Sequence, residues 1–130
     1  MILFRNAKKS DLDAICRLAK QSGITTLPDN QDFLAQRLEA SNKSFKSIVK
    51  KPRGEYYLFV LEEVEKSQVI GTSAITAYTG HHAPFYSYKI SRFSKVCEAL
   101  DIRNDYALLN LSHDNQGKSE LCTLFLEPSA

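Results

Sequence analysis

Histidine provides the side chains in this sequence that are best suited to proton transfer or metal binding. His81 and His82 are adjacent, so their side chains diverge on an extended backbone, and no third ligand follows nearby. A surface loop is therefore favoured over a metal site. His113 and Asp114 could form a base with its orienting carboxylate, but neighbouring residues in a turn usually serve the turn itself. We therefore assign no catalytic residue and no metal site.

The three cysteines, Cys16, Cys97 and Cys122, lie far apart, and none forms a C-x-x-C pair. An odd number of separated cysteines without a signal peptide predicts reduced thiols in a cytoplasmic protein. Cys122 could act as a nucleophile, but its neighbours are apolar and no histidine is close in sequence. We interpret it as an inert core thiol.

Composition, charge and missing motifs narrow the classes of protein to which this chain can belong. A chain of 130 residues with 43% hydrophobic and 25% charged residues is typical of one globular domain. The net charge is +2, and the basic group Lys43, Lys46, Lys50, Lys51 and Arg53 predicts a solvated helix face rather than nucleic-acid binding. No apolar run approaches the ~20 residues that cross a bilayer, so no membrane association is expected. Phosphate-binding glycine loops, G-x-S-x-G and H-E-x-x-H are also missing from the sequence.

The first half of the chain predicts one strand and two helices. Ile2–Phe4 forms a short strand, and Ser10 with Asp13 predicts the start of a helix that stops at Ser22-Gly23. Asn30 can cap a second helix, which Lys51–Gly54 would end. The apolar stripe of that second helix comprises Leu34, Leu38, Ser41, Phe45 and Ile48.

The second half is richer in strands. Tyr56–Leu61 and Val69–Tyr78 predict one hairpin, and Tyr106–Leu111 with Glu120–Leu126 predicts a second around the turn-forming segment Asp114–Gly117. Between them, Ser91 can cap a short third helix with an apolar face of Phe93, Val96, Cys97 and Leu100. The aromatic residues Phe85, Tyr86 and Tyr88 favour core or interface packing over ligand stacking. The predicted fold is α+β, with a mostly antiparallel sheet, two N-terminal helices and a short third helix.

The final strand is unusual because apolar residues fill five of the six positions from Leu121 to Leu126. Such a run predicts a strand covered on both faces, yet only a few residues follow it. We therefore expect a partner, a truncated domain, or both.

The same segment, S-E-L-C-T-L-F-L-E-P, resembles a strand of arginine N-succinyltransferase, a GNAT-like acyltransferase family of bacterial arginine catabolism. The resemblance runs along the whole chain but covers only the N-terminal part of the family's sequence. Further matching stretches are Lys9–Leu12, Thr25–Pro28 before Asn30, Phe59–Glu62, Pro84–Tyr88 and Leu111–Asp114.

This resemblance implies transfer of a succinyl group from succinyl-CoA, as cosubstrate, to the α-amino group of L-arginine. No tightly bound cofactor is expected. In GNAT-like folds the thioester lies against the backbone of the fourth core strand, and the family's succinyl-CoA contact falls on Leu124. Thr26, in the loop after the first helix, and Glu120 are expected near the acceptor amino acid.

The resemblance also implies that residues 1–130 form a single truncated domain ending after the fourth core strand. The family's pyrophosphate-binding loop and proton-donor histidine belong to the part beyond the match, so we expect the chain alone to be inactive. Expected partners are a complementary C-terminal chain or a second copy bound through Glu120–Leu126. The alternative is a non-catalytic, self-associating remnant or a regulatory or binding subunit of the same family.

Overall fold

A computed structural model describes residues 1–21 and 27–128. The chain forms two compact units. The first comprises Met1–Tyr78 with Lys118–Ala130, and the second comprises Thr79–Gly117.

The first unit is a four-stranded antiparallel sheet with two helices. The elements are β1 (Ile2–Asn6), α1 (Leu12–Gln21), α2 (Gln31–Lys46), β2 (Tyr56–Glu63), β3 (Gln68–Thr76) and β6 (Glu120–Leu126). The strands lie in the order β1-β2-β3-β6, so β6 is at the edge of the sheet. The second unit is one long antiparallel hairpin of β4 (Ser87–Cys97) and β5 (Ile102–Ser112).

The start of α1 differs from the prediction. Ser10 lies inside a 3-10 turn, Lys9–Asp11, and the carboxylate of Asp11 accepts the backbone N–H of Lys8 at 2.7 Å. Asp11 also accepts two hydrogen bonds from the Arg5 guanidinium, at 2.7 and 3.0 Å. The capping carboxylate is therefore Asp11 and not Asp13, which the spacing from Ser10 had indicated.

The start of α2 is as predicted, because the side chain of Asn30 accepts the backbone N–H of Phe33 at 3.0 Å. Its end is earlier than predicted. The helix stops at Lys46, and Ile48 is 97% exposed rather than part of the apolar stripe.

Two serines of α2 join the helix to the sheet. β1 pairs with β2 only from Phe59 onward, which leaves backbone donors at the beginning of β2 without a strand partner. Ser44 accepts the N–H of Tyr56 at 3.1 Å, and Ser41 accepts that of Leu58 at 2.8 Å. Side-chain hydroxyls thus take the place of the missing strand, and this explains why a serine lies within the apolar stripe.

The core of the first unit lies between the helices and one face of the sheet. It is built mainly from Ile15, Leu18, Leu34, Leu38, Leu58, Val60 and Ala74, with Cys122 and Phe125 packed against it. On the other face, Leu121, Leu124 and Leu126 of β6 are each more than half exposed. This face of β6 is therefore uncovered within the described residues, and a partner or further part of the domain that covers it stays a prediction.

The hairpin of β2 and β3 confirms the prediction from residues 56–61 and 69–78, with strand bounds shifted by a few residues. The second predicted hairpin is wrong. β6 pairs with β3, while residues 106–111 belong to β5 and pair with β4. β6 pairs with a strand more than forty residues earlier, which the turn-forming segment Asp114–Gly117 could not indicate. β5 pairs with its near neighbour β4, which had been predicted as a short helix.

The short third helix is also wrong. Ser91, Phe93, Val96 and Cys97 lie in β4, where each faces a residue of β5 across the hairpin. Only a 3-10 turn, Glu98–Leu100, follows. Phe93, Val96 and Cys97 have the spacing of a helical face, but pairing with β5 places them in a strand. Within residues 1–21 and 27–128, neither helix is long and apolar enough to cross a membrane.

Candidate functional site

The most distinctive backbone feature of the first unit is an irregularity in the middle of β6. Cys122 pairs with Ala74 and Phe125 pairs with Thr72, so Thr123 and Leu124 together face the single residue Ser73. Two residues opposite one define a β-bulge, which bends the strand and interrupts its ladder of hydrogen bonds. Thr123 has a φ of 54°, a left-handed conformation that is costly for a β-branched residue. Strained residues of this kind cluster at functional sites.

Side-chain contacts hold the bulge in place. Thr123 is 6% exposed, and its Oγ1 lies 3.1 Å from the phenol oxygen of Tyr56. The hydroxyl of Thr72 donates to the carbonyl oxygen of Thr123 at 2.9 Å. Tyr56 of β2 and Thr72 of β3 thus stabilise a conformation that Thr123 would not adopt on its own.

A cavity of about 230 Å³, which we call the α2–β6 pocket, opens beside this bulge. Its wall is formed by α2, the segment before it, and the core-side residues of β2, β3 and β6. The lining residues are Leu27, Phe33, Leu34, Arg37, Tyr56, Leu58, Thr76, Glu120, Cys122 and Thr123. An apolar cleft with a few polar groups is typical of a small-molecule site.

Arg37 and Tyr56 set the electrostatics of the pocket. The guanidinium carbon of Arg37 lies 5.0 Å from the ring centroids of both Phe33 and Tyr56, within the range of cation–π attraction. Burial raises the pKa of Tyr56 above its ordinary value, and the hydrogen bond with Thr123 offsets this only in part. The Tyr56 hydroxyl is therefore protonated at neutral pH.

The site residues predicted from the family resemblance occupy different positions. Glu120 lines the α2–β6 pocket and is exposed. Leu124 is the second residue of the bulge, and its side chain is 69% exposed. Thr26, with most of the loop it belongs to, lies outside the described residues. The structure thus brings Glu120 and the bulge to one strand, three residues apart.

The histidines lie in the second unit. His81, His82 and His113 line a separate cavity of about 480 Å³, together with Gly80, Ala83, Pro84, Tyr86 and Gln116. The rings of His81 and His82 are in edge contact, with centroids 4.7 Å apart. Across the described parts of the chain, no three histidine, cysteine or acidic residues are grouped to hold a metal ion.

Cys122 and the aromatic residues can also be located. Cys122 packs against the core and its Sγ lies 3.6 Å from the Thr76 hydroxyl, in the α2–β6 pocket rather than in a sealed interior. Tyr86 and Tyr88 are 59% and 68% exposed. Core packing of these two tyrosines is therefore wrong, and interface packing stays a prediction.

The sequence did not predict the contact of Arg37 with the rings of Phe33 and Tyr56, which we call the aromatic clamp. One signal was available, because Phe33 and Arg37 are four residues apart in a predicted helix and share a face. The contribution of Tyr56 depends on how α2 crosses β2, which no local pattern shows. The bulge at Thr123 gave no signal, since threonine is an ordinary strand residue.

Comparison with known proteins assigns the chain to a family. The family model described as arginine N-succinyltransferase beta subunit matches residues 2–130. Arginine N-succinyltransferase of Shigella dysenteriae serotype 1 is 37% identical over 98% of this chain. The protein of the same name from Yersinia pestis (strain Pestoides F) is also 37% identical over 98% of the chain.

A solved structure agrees with this assignment. The arginine/ornithine succinyltransferase subunit AI from Pseudomonas aeruginosa is 36% identical and superposes with a TM-score of 0.82 over 99% of this chain. The chain spans 38% of the Shigella relative, 37% of the Yersinia relative and 40% of the Pseudomonas structure. The sequence, the α+β architecture and the fold comparison agree, and the chain belongs to the arginine N-succinyltransferase family, matching the N-terminal part of its members.

Proposed function

We propose that this chain carries the acyl-thioester-binding strand of an arginine N-succinyltransferase. The reaction implied by the family transfers a succinyl group from succinyl-CoA to the α-amino group of L-arginine. Because the chain spans about two fifths of its relatives, the proposal for the chain itself is confined to binding the thioester and positioning it. We assign it to the cytoplasm, with succinyl-CoA as cosubstrate and no tightly bound cofactor.

The observation that carries this proposal is the bulge at Thr123 and Leu124. In a GNAT-like fold, the thioester carbonyl lies against the backbone of the fourth core strand, and β6 is the fourth strand of this sheet. A bulge releases backbone groups from strand pairing. A released amide N–H beside a pocket can donate to the oxyanion that develops when an amine attacks a thioester.

Leu124 takes its role in this proposal through its backbone. Its exposed side chain does not line the α2–β6 pocket, whereas its position in the bulge places its peptide group at the interruption of the ladder. Glu120 lines the pocket and would attract the cationic acceptor. Thr26 is proposed on the resemblance alone to lie on the acceptor side.

Calorimetric titration with succinyl-CoA tests this function. We expect wild-type chain and Leu124→Ala to bind with similar affinity, since that substitution keeps the backbone. Deletion of Thr123 would let β6 pair regularly with β3, and binding should be lost. Thermal unfolding must show that the deletion variant is folded. Absence of binding by the wild type, or equal binding by a folded deletion variant, would overturn the proposal.

The architecture also supports the proposal that β6 needs a cover. Residues 1–130 would then form a single truncated acyltransferase-like domain. Leu121, Leu124 and Leu126 expose apolar side chains on one strand, and this strand is at the edge of its sheet. A complementary C-terminal chain of the family or a second copy of this chain could cover them. A non-catalytic, self-associating protein of the same family is the second candidate function, and the same exposed leucines favour it.

A further inference from the structure

Arg37 is an exposed cation that lines the α2–β6 pocket and contacts two aromatic rings. Its guanidinium carbon lies 5.0 Å from the ring centroid of Phe33, one helical turn earlier, and 5.0 Å from that of Tyr56 on β2. Tyr56 is 8% exposed and is itself anchored to Thr123. Contact with two aromatic rings restricts a side chain that is otherwise free to sample many rotamers.

No ion pair or hydrogen bond within residues 1–21 and 27–128 uses the guanidinium of Arg37. Arg37 differs in this respect from Arg5 of β1 and Arg17 of α1, whose guanidinium groups form ion pairs. Arg5 pairs with Asp11 and Glu62, and Arg17 pairs with Glu127 at 2.7 Å. Arg37 therefore keeps its planar fork of N–H donors available to a ligand.

Apart from Arg37, the described residues that line the pocket contribute no positive charge. Its lining is apolar or neutral apart from Arg37 and one carboxylate, that of Glu120. A planar guanidinium binds a carboxylate through two parallel hydrogen bonds, which gives geometric selectivity as well as attraction. The volume of the cavity, about 230 Å³, equals that of roughly eight water molecules and so suits a small acyl group or an amino-acid head group.

We infer that Arg37 binds a carboxylate of a substrate in the α2–β6 pocket and thereby selects substrates that carry one. The inference rests on the proposed function, which supplies two sources of this group. One is the free carboxylate of the succinyl chain, and the other is the α-carboxylate of the amino-acid acceptor. Arg37 would be a specificity-determining residue.

Matched ligand pairs distinguish the two sources. Succinyl-CoA is compared with butyryl-CoA, which has the same chain length without the carboxylate, and L-arginine with agmatine, which lacks the α-carboxylate. Wild-type chain should prefer the carboxylate-bearing member of one pair by roughly ten- to a hundredfold, the range of a charge-assisted hydrogen-bonded pair. The pair that shows the preference identifies the source.

Arg37→Gln should abolish the preference, and Arg37→Lys should retain a small part of it because lysine keeps the charge without the fork. Lys43→Gln, which removes an exposed cation of the same helix outside the pocket, is the control and should retain the full preference. Thermal unfolding checks that each variant is folded. An undiminished preference for succinyl-CoA or L-arginine in folded Arg37→Gln would overturn the inference while leaving the proposed function intact.

A second readout keeps the inference testable if the chain binds no thioester. The side-chain Nε–Hε resonance of Arg37 is followed during titration of wild-type chain with free succinate, with the neutral diamide succinamide as control. Saturable movement with succinate alone would support Arg37 even if succinyl-CoA binding, and hence the proposed function, fails. No movement with succinate, together with no preference in either ligand pair, would overturn the inference.

Discussion

The phenol oxygen of Tyr56 lies 3.1 Å from Oγ1 of Thr123, the residue that forms the left-handed part of the bulge in β6. Both side chains are buried, at 8% and 6% exposure. This contact links β2 to β6, two strands that are not neighbours in the sheet. It therefore connects the aromatic clamp around Arg37 with the backbone proposed to bind the thioester.

Tyr56→Phe should lower the free energy of unfolding by about 1 kcal/mol, because it removes this hydrogen bond and leaves the Thr123 hydroxyl with one partner fewer. Thr123→Val should cost a similar amount. If the two hydroxyls interact directly, the double variant should lose at least about 0.5 kcal/mol less than the sum of the single variants. Urea unfolding measures all three, and Tyr57→Phe on the same strand is the control. Strict additivity would contradict the coupling.

Gly71→Ala should disturb the pairing of β3 with β6. An added Cβ at Gly71 would lie 2.7 Å from the backbone carbonyl oxygen of Phe125, closer than real Cβ atoms approach. We expect a loss of about 1–3 kcal/mol, as for other overpacked sites. Gly54→Ala, at an exposed position without positive φ, should change stability by less than about 0.5 kcal/mol. Equal stability of the two variants in urea unfolding would show that β6 does not lie against Gly71.

The Asp11 carboxylate should make stability depend on pH. Burial by itself raises the pKa of Asp11, but hydrogen bonds from Arg5 and from the backbone of Lys8 outweigh it and lower the pKa below 3.8. A lowered folded-state pKa means that the stabilisation is present above 3.8 and is lost as the pH falls through the folded-state value.

Asp11→Asn should therefore be less stable than wild type at pH 7, and the difference should shrink as the pH falls below about 4. Comparison with Glu39→Gln, an exposed carboxylate of α2, separates this site from the general titration of acidic groups. Denaturant unfolding across the acid range measures both. A difference that stays constant with pH would contradict the role of the Asp11 charge.

The exposed leucines of β6 predict self-association of the isolated chain. Leu121, Leu124 and Leu126 are 66%, 69% and 55% exposed on a strand edge. Leu121→Glu should weaken association at least roughly tenfold, since burial of one leucine contributes about 1.5–3 kcal/mol. Ile48→Glu, at a 97% exposed position outside the sheet, should have no effect. Sedimentation that finds a monomer at micromolar concentration would exclude a homodimer as the cover.

Local sequence signals predicted the start of α2 and the hairpin of β2 and β3. Asn30 marked the start of α2, and the residues of β2 and β3 identified their hairpin because the turn between them is short. Phe93 and Val96 were misassigned to a helix. Their spacing of three residues fits a helical face and places them on opposite faces of a strand. Both faces of β4 are largely exposed, so no alternation of apolar and polar residues marks the strand in the sequence.

Long-range contacts account for what the sequence did not reveal about the site. The pairing of β6 with β3 spans more than forty residues, and the bulge at Thr123 depends on Tyr56 and Thr72. Arg37 gains its position only when Tyr56 is placed beside α2. The family resemblance pointed to Leu124, but the adjoining pocket required the three-dimensional arrangement.

The most direct measurement of acyl-thioester binding by β6 is a titration of isotope-labelled chain with succinyl-CoA, followed through backbone amide resonances. We expect saturable shifts that are largest at Thr123 and Leu124, with smaller shifts at Glu120 and other residues of the α2–β6 pocket. Free CoA, which lacks the acyl group, should move the bulge amides much less. Saturation with succinyl-CoA that leaves Thr123 and Leu124 unshifted, or no binding at all, would contradict the assignment of β6 as the thioester-binding strand.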